Sequence, residues 1–189
     1  MRNAAPACVR CVSLLLLCLG SWVAPLPGAI LERLSLDDVI LKSTDIVRAR
    51  VLGSSAEFRG SLIYTHWKLQ VVDTWKGADH GALEVLVPGG SARGMHQDVA
   101  GAPALKIGGE YLFFLWKSKT GSAYITGLSQ GIFDLSKDAA GGLMVSRAPS
   151  GEPMLDRGTW RPVKDEAVNM RYSEMTSRIS ATLAGGAGR

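Results

Sequence analysis

Residues 62–77 alternate strictly, with Ile63, Thr65, Trp67, Leu69 and Val71 on one parity and Tyr64, His66, Lys68, Gln70 and Val72 on the other. A period of two in a run rich in β-branched and aromatic residues is the pattern of a half-buried strand. Its length predicts a strand that bends and serves two parts of a sheet. Trp75, Lys76 and Gly77 close it, and Gly77 supplies the turn. Upstream, Val47, Ala49 and Val51 alternate with Arg48 and Arg50, which predicts a first strand over 46–52 and a polar loop over 53–60. Strand, loop, strand is a hairpin or meander pattern, not a βαβ unit. Before it, Ser35 stands three residues ahead of Asp38, the spacing of a capping box that opens a short helix.

Leu83, Val85 and Val87 predict a third strand, stopped by Pro88, Gly89 and Gly90. A long loop follows over 91–104, the kind of connection that often carries function. Residues 110–116 form the most apolar run after the leader and predict a strand buried on both faces. Short strands are predicted over 123–126 and 131–135, around the glycine-bounded segment 127–131, and an edge strand over 141–146. Residues 147–161 carry Pro149, Gly151, Pro153 and Gly158 and read as an irregular connection. The period then changes. Val168, Tyr172, Met175 and Ile179 recur at helical spacing, which predicts an amphipathic helix over 163–183 between Pro162 and Gly185.

The pattern therefore predicts a mainly β fold: a small antiparallel OB-like barrel or sandwich with a short N-terminal helix and a C-terminal amphipathic helix. The predicted organisation is a leader over 1–29, a β-barrel domain over 30–146, the connection over 147–161, and a helix and tail over 162–189.

Composition agrees with a globular chain: 47% of the 189 residues are hydrophobic and 20% are charged. The leader changes the picture more. Arg2 and Arg10 precede an apolar core over 11–22, the layout of a secretory signal peptide. The cleavage site is poorly formed, because Pro25 and Pro27 crowd the small residues Ala24 and Ala29. Two alternatives stay open: an uncleaved anchor over 11–31, and lipidation of Cys18 after the distorted lipobox Leu15-Leu16-Leu17. Export to the periplasm or the extracellular space is the expectation, with a membrane partner only if the leader stays or is lipidated. All three cysteines, Cys8, Cys11 and Cys18, lie in this leader. The rest of the chain can form neither an internal disulfide nor a thiolate site.

The formal charge is +4, and Arg2 and Arg10 in the leader carry two of those charges. The remaining Lys and Arg are scattered, which gives little support for nucleic acid. Tyr64, Trp67 and Trp75 lie near basic residues, but Trp67 and Trp75 share the apolar parity and are expected in the core. No nucleic-acid partner is expected.

The three histidines are His66, His80 and His96, and no two have metal-ligand spacing on one element. There is no Gly-x-Ser-x-Gly elbow and no Walker or dinucleotide glycine pattern. The acidic pairs Asp37-Asp38 and Asp165-Glu166 fall in predicted first helical turns, where negative charge favours the helix. Neither cofactor nor metal is expected. A hydrolase or metal enzyme using His96 and Asp98, with His66, is the competing reading.

Several stretches resemble a family of exported bacterial proteins of unknown function: Ser43-Thr44-Asp45-Ile46-Val47, Tyr64-Thr65, Trp75-Lys76-Gly77, Val87-Pro88-Gly89-Gly90, residues 109–115 and residues 127–131. Their order is also similar to bacterial relatives of tissue inhibitors of metalloproteinases, whose netrin-like module is an OB barrel. The resemblance implies a barrel that contacts a secreted peptidase or envelope protein. Those inhibitors act through an N-terminal cysteine, which has no counterpart after Cys18, so that mechanism is not carried to any residue here. The leading expectation is a non-enzymatic binding module. Its contact surface is expected where the 91–104 loop meets the 128–131 segment, with Met95, His96, Gln97, Asp98, Ser129 and Gln130 as the contact residues.

Overall fold

A computed structural model describes residues 30–79 and 81–186. The predicted leader with its cysteines, His80 and the last three residues of the predicted tail lie outside the described residues. In chain order the elements are β1 (Leu31–Glu32), α1 (Leu36–Lys42), β2 (Asp45–Arg59), β3 (Leu62–Lys76), β4 (Ala82–Pro88), β5 (Gly90–Ala92) and β6 (Met95–Gln97). There follow β7 (Glu110–Lys117), β8 (Ala123–Ile125), a 3-10 turn (Leu128–Gly131), β9 (Ile132–Lys137), β10 (Leu143–Arg147), β11 (Met154–Leu155), β12 (Pro162–Val163), β13 (Val168–Arg171) and α2 (Tyr172–Gly186).

The main sheet has the order β13-β10-β9-β7-β2-β3-β4-β8, and β8 pairs back onto β7. Strands β7-β2-β3-β4-β8 therefore close into a ring. Closure rests on a parallel pairing of β8 with β4, while β8 meets β7 antiparallel. β7 makes this possible by splitting its second edge: Tyr111–Phe113 pair with β9, and Leu115–Lys117 pair with β8. The mainly β expectation with flanking helices holds.

Two cores result, one on each face of β7. Tyr111, Phe113 and Leu115 point into the ring, among Val47, Ala49, Val51, Leu69, Val85 and Ile125. Leu112 and Phe114 point outward, under Val39 and Ile40 of α1 and Met175 and Ile179 of α2. This is why residues 110–116 carry no polar alternation. Burying a side chain the size of Phe113 or Phe114 contributes about 2–3 kcal/mol. The Ser35 capping box forms as predicted: Ser35 Oγ accepts from the Asp38 amide at 3.1 Å, and Asp38 accepts from the Ser35 amide at 3.2 Å.

Four expectations need correction. Residues 53–60 are not a loop: β2 runs on to Arg59 and pairs with β3 down to Arg59↔Leu62. One face of this outer part is covered by the β5–β6 hairpin, where Ile63 is buried, but the run Gly53-Ser54-Ser55 has no apolar side chains to mark the alternation although pairing continues. The long loop holds the β5–β6 hairpin, turned at Arg93 and Gly94, both at positive φ. β10 is not an edge strand, because β13 pairs outside it. Residues 168–171 are strand, and α2 begins only at Tyr172. Val168 fitted both periods, and the antiparallel register Arg147↔Val168 decided between them.

Candidate binding site

The predicted contact segments do meet, but not as one surface. The Ser129 amide donates to the Gly101 carbonyl at 3.0 Å, which joins the 91–104 loop to the 3-10 turn. Gln130 is 2% exposed, so its side chain is structural. Its Oε1 accepts from the Leu34 amide at 2.8 Å and its Nε2 donates to the Glu32 carbonyl at 2.9 Å. Gln97 is also occupied: its Oε1 accepts from the Ile63 amide at 2.7 Å and pins the β5–β6 hairpin to β3. Met95, His96 and Asp98 stay at the surface of that hairpin.

His96 lies in a short polar chain. Its Nδ1 is 2.8 Å from Ser91 Oγ and its Nε2 is 3.0 Å from Asp98 Oδ1. The imidazole is 63% exposed and the Asp98 carboxylate 93%, so water screens both. His66 is not part of this group. It lies on the outer face of β3 between Glu84, 2.8 Å from Nδ1, and Glu57, 3.1 Å from Nε2, and it lines a different cavity. Among the described residues no group of three His, Asp or Glu side chains could hold a metal ion.

A better-formed concavity lies on the outer wall of the ring. The double pairing of β8 sets Tyr124 beside Leu86 of β4 and beside Trp116 of β7. Trp116 and Tyr124 stack at 4.8 Å with 20° between planes, and Tyr64 of β3 meets Tyr124 edge-on at 6.3 Å. These rings, with Pro88, Pro103 and Leu128 on the other bank, line a cavity of about 410 Å³. Trp116, 41% exposed, also walls a second cavity of about 360 Å³ reaching Leu31, Leu34 and Lys42. Trp116 and Leu128 form the ridge shared by the two.

Leu128 is held in a costly conformation. Its φ is +58°, directly after Gly127 at +66°. A bulky residue in the left-handed region carries on the order of 1–2 kcal/mol of strain. The Ser129–Gly101 bond and the Gln130 side chain pay for it by fixing both flanks.

Charge is uneven around the groove. Arg59 Nη1 donates to the Tyr124 hydroxyl at 3.2 Å and has no carboxylate within ion-pair distance among the described residues. Lys42, at the far end, is paired with Glu32 at 3.2 Å. Arg48 and Arg50, farther along β2, are both paired with Glu110. Burial pushes the Glu110 carboxyl up, but hydrogen bonds and charge from the two arginines outweigh it and hold it below the usual range.

A third cavity, of about 380 Å³, opens between the 101–104 stretch and residues 147–152. Arg147 there is paired with the buried Asp165 at 3.0 Å, and its Nε has no hydrogen-bond partner among the described residues.

Sequence reasoning missed Trp116 and Tyr124. Trp116 was hidden in an apolar run, although its parity is opposite to that of Tyr111, Phe113 and Leu115, and that was the available signal. Among the described residues no helix is long and apolar enough to cross a membrane. No family model, curated protein or solved structure matches the chain.

Proposed function

We propose that the protein is an exported, non-enzymatic binding module whose ligand occupies the aromatic groove on the outer wall of its barrel. The observation that carries the reading is the Trp116–Tyr124 stack with Tyr64 at its edge, left uncovered beside a strained Leu128. Monomeric barrels have no structural need for adjacent aromatic rings outside their core, and exposed apolar patches of this kind mark interaction sites. The charged and apolar segments of the leader support export to the periplasm or outside the cell. The ring order with its one parallel pair supports an OB-like barrel, and with it the resemblance to netrin-like modules. A partner protein of the envelope or secreted fraction, including a peptidase, remains the expected occupant.

The test is affinity capture from envelope and secreted extract with the tagged protein, Trp116→Ser, and a Met95→Ser/His96→Ala double variant. A partner lost with Trp116→Ser and kept by the double variant supports the groove. Loss only with the double variant moves the site to the β5–β6 hairpin. No recovered partner from folded protein overturns the partner reading.

One observation favours a second reading, a hydrolase: the Ser91–His96–Asp98 chain contains a nucleophile, a base and an acid in hydrogen-bond reach. Labelling of Ser91 by a fluorophosphonate, abolished in His96→Ala, would establish it. An unlabelled Ser91 would remove it.

A further inference from the structure

Resting on the groove reading, we propose that the ligand is an extended, proline-rich peptide segment with an acidic residue at the Arg59 end. The first cavity is lined by flat, rigid side chains: Tyr64, Trp116 and Tyr124 face Pro88, Pro103 and Leu128. Grooves of aromatic rings take polyproline II ligands, which arrive already extended and lose little entropy on binding. Such a helix makes no internal hydrogen bonds, so its carbonyls need donors from the groove. Tyr64 lines the cavity, and its phenol hydroxyl can donate. The Tyr124 hydroxyl accepts from Arg59 and keeps its own proton to donate.

Two cavities on either side of one ridge offer two seats to a ligand that repeats along one face. A polyproline II helix returns to the same face every third residue, about 9 Å along its axis. Prolines at i and i+3 would drop on either side of the ridge made by Trp116 and Leu128. That ridge is fixed before binding, because Leu128 is locked by its neighbours. A preformed ridge reduces the ordering cost of association.

Charge sets the direction. Among the described residues Arg59 is a cation without a carboxylate partner at the Tyr124 end, while at the opposite end Lys42 already holds a carboxylate, Glu32, which it shares with Arg157. An acidic residue in the ligand gains more at Arg59, which has no carboxylate, than at Lys42, where Glu32 already stands. A glycan fits less well. The first cavity presents no carboxylate or carboxamide side chain to take sugar hydroxyls, which would then be desolvated without partners. A nucleic-acid strand needs a track of cations, and among the described residues no lysine or arginine lines the first cavity.

The experiment follows the Trp116 indole N–H by ¹⁵N NMR in the full chain, assigned by its loss in Trp116→Phe. The probes are the peptide Asp-Pro-Pro-Leu-Pro-Pro, the same peptide with Lys for Asp, a Gly-Ser peptide of equal length, and a chitin-type tetrasaccharide. Saturable shifts with the acidic proline peptide, none with Gly-Ser, are expected. Binding should weaken at least about tenfold in Trp116→Ala, the loss of a central aromatic anchor. It should weaken about threefold in Arg59→Gln and with the Lys peptide, and fall with added salt. Tyr124→Ser repeats the test should Trp116→Ala misfold. Tetrasaccharide shifts without peptide shifts overturn the peptide class and leave the groove reading intact. No shift of the Trp116 signal by any probe overturns both. Peptide binding untouched by Trp116→Ala overturns the site, and indifference to Arg59→Gln overturns the acidic end.

Discussion

Gln130 ties the N-terminal segment to the turn that carries Leu128, and its replacement tests that strap. The side chain is buried, with one bond from the Leu34 amide at 2.8 Å and one to the Glu32 carbonyl at 2.9 Å. Two such bonds between neutral groups contribute about 1 kcal/mol each. In Gln130→Leu both main-chain partners are also left without a mate, at about 1 kcal/mol or more between them. The expected loss is about 3 kcal/mol, read as a lower urea midpoint with unchanged slope. The Leu34 amide should lose hydrogen-exchange protection ahead of the barrel strands. Gln130→Glu adds a pH test. A protonated carboxyl supplies one acceptor and one donor and replaces the amide closely. An ionised one faces the Glu32 and Gly127 carbonyls. Its folded pKa is therefore raised above the unfolded value near 4.3. A raised carboxyl pKa means the variant approaches the parent below about pH 4 and loses stability as pH rises, by about 1.4 kcal/mol per unit until the folded pKa is passed. A deficit independent of pH, or a Gln130→Leu protein within 0.5 kcal/mol of the parent, at about the level of a neutral surface change, refutes the reasoning.

Three further outcomes are expected. Gly77→Ala should cost about 3 kcal/mol by chemical denaturation, because a Cβ at φ +95° would strike the Asp45 carboxylate that is buried against Lys117; an unchanged midpoint would contradict this. Glu110→Gln should cost about 1–2 kcal/mol at pH 7, with the half-exposed Arg50 adding little. Because the Glu110 pKa is depressed, its stabilisation is present above the unfolded value and lost as pH falls through the folded one, so the gap between parent and variant should close only once the pH is well below the ordinary carboxylate range. Trp160, 74% exposed at φ +55°, should be replaceable by Gly with a gain of up to about 1 kcal/mol, while Trp160→Ala gains nothing, since alanine keeps the Cβ; equal melting temperatures for the two variants would refute the strain.

What the sequence made legible was local. The capping box at Ser35, the inward parity of Ile63, Trp67 and Leu69, and the two-faced burial of residues 111–115 each follow from spacing within one element. What escaped was register. Bulges in the β2–β3 pairing let two aromatic residues of one parity serve different cores: Trp67 packs in the ring, while Trp75 packs against Tyr172 of α2 at 5.9 Å. The candidate site is of the same kind. Tyr64, Trp116 and Tyr124 are far apart in sequence, and only the pairings of β8 bring them together. No composition or period announces a parallel closure made of a three-residue strand. Gln97 and Gln130, singled out because they lie in the long loop and the glycine-bounded segment, are polar because they hydrogen-bond main chain inside the fold.

The two cores also explain why the groove lies where it does. One outer wall of the ring is covered, since α1 and α2 pack on Ile46, Leu112 and Phe114, and β9, β10 and β13 extend that side. The opposite wall, over β3, β4 and β8, has no helix across it among the described residues. A wall left to water would be expected to carry polar residues at every outward position. It does so along His66, Lys68 and Gln70. It fails to do so where Tyr64, Leu86, Trp116 and Tyr124 converge, beside the turn that holds Leu128 at positive φ. Apolar rings and backbone strain at one point, on the wall that the fold leaves open, are two separate costs to stability. The strain is offset by the hydrogen bonds on both flanks of Leu128, whereas the exposed rings have no such compensation within the fold, and they are what the proposed ligand would cover.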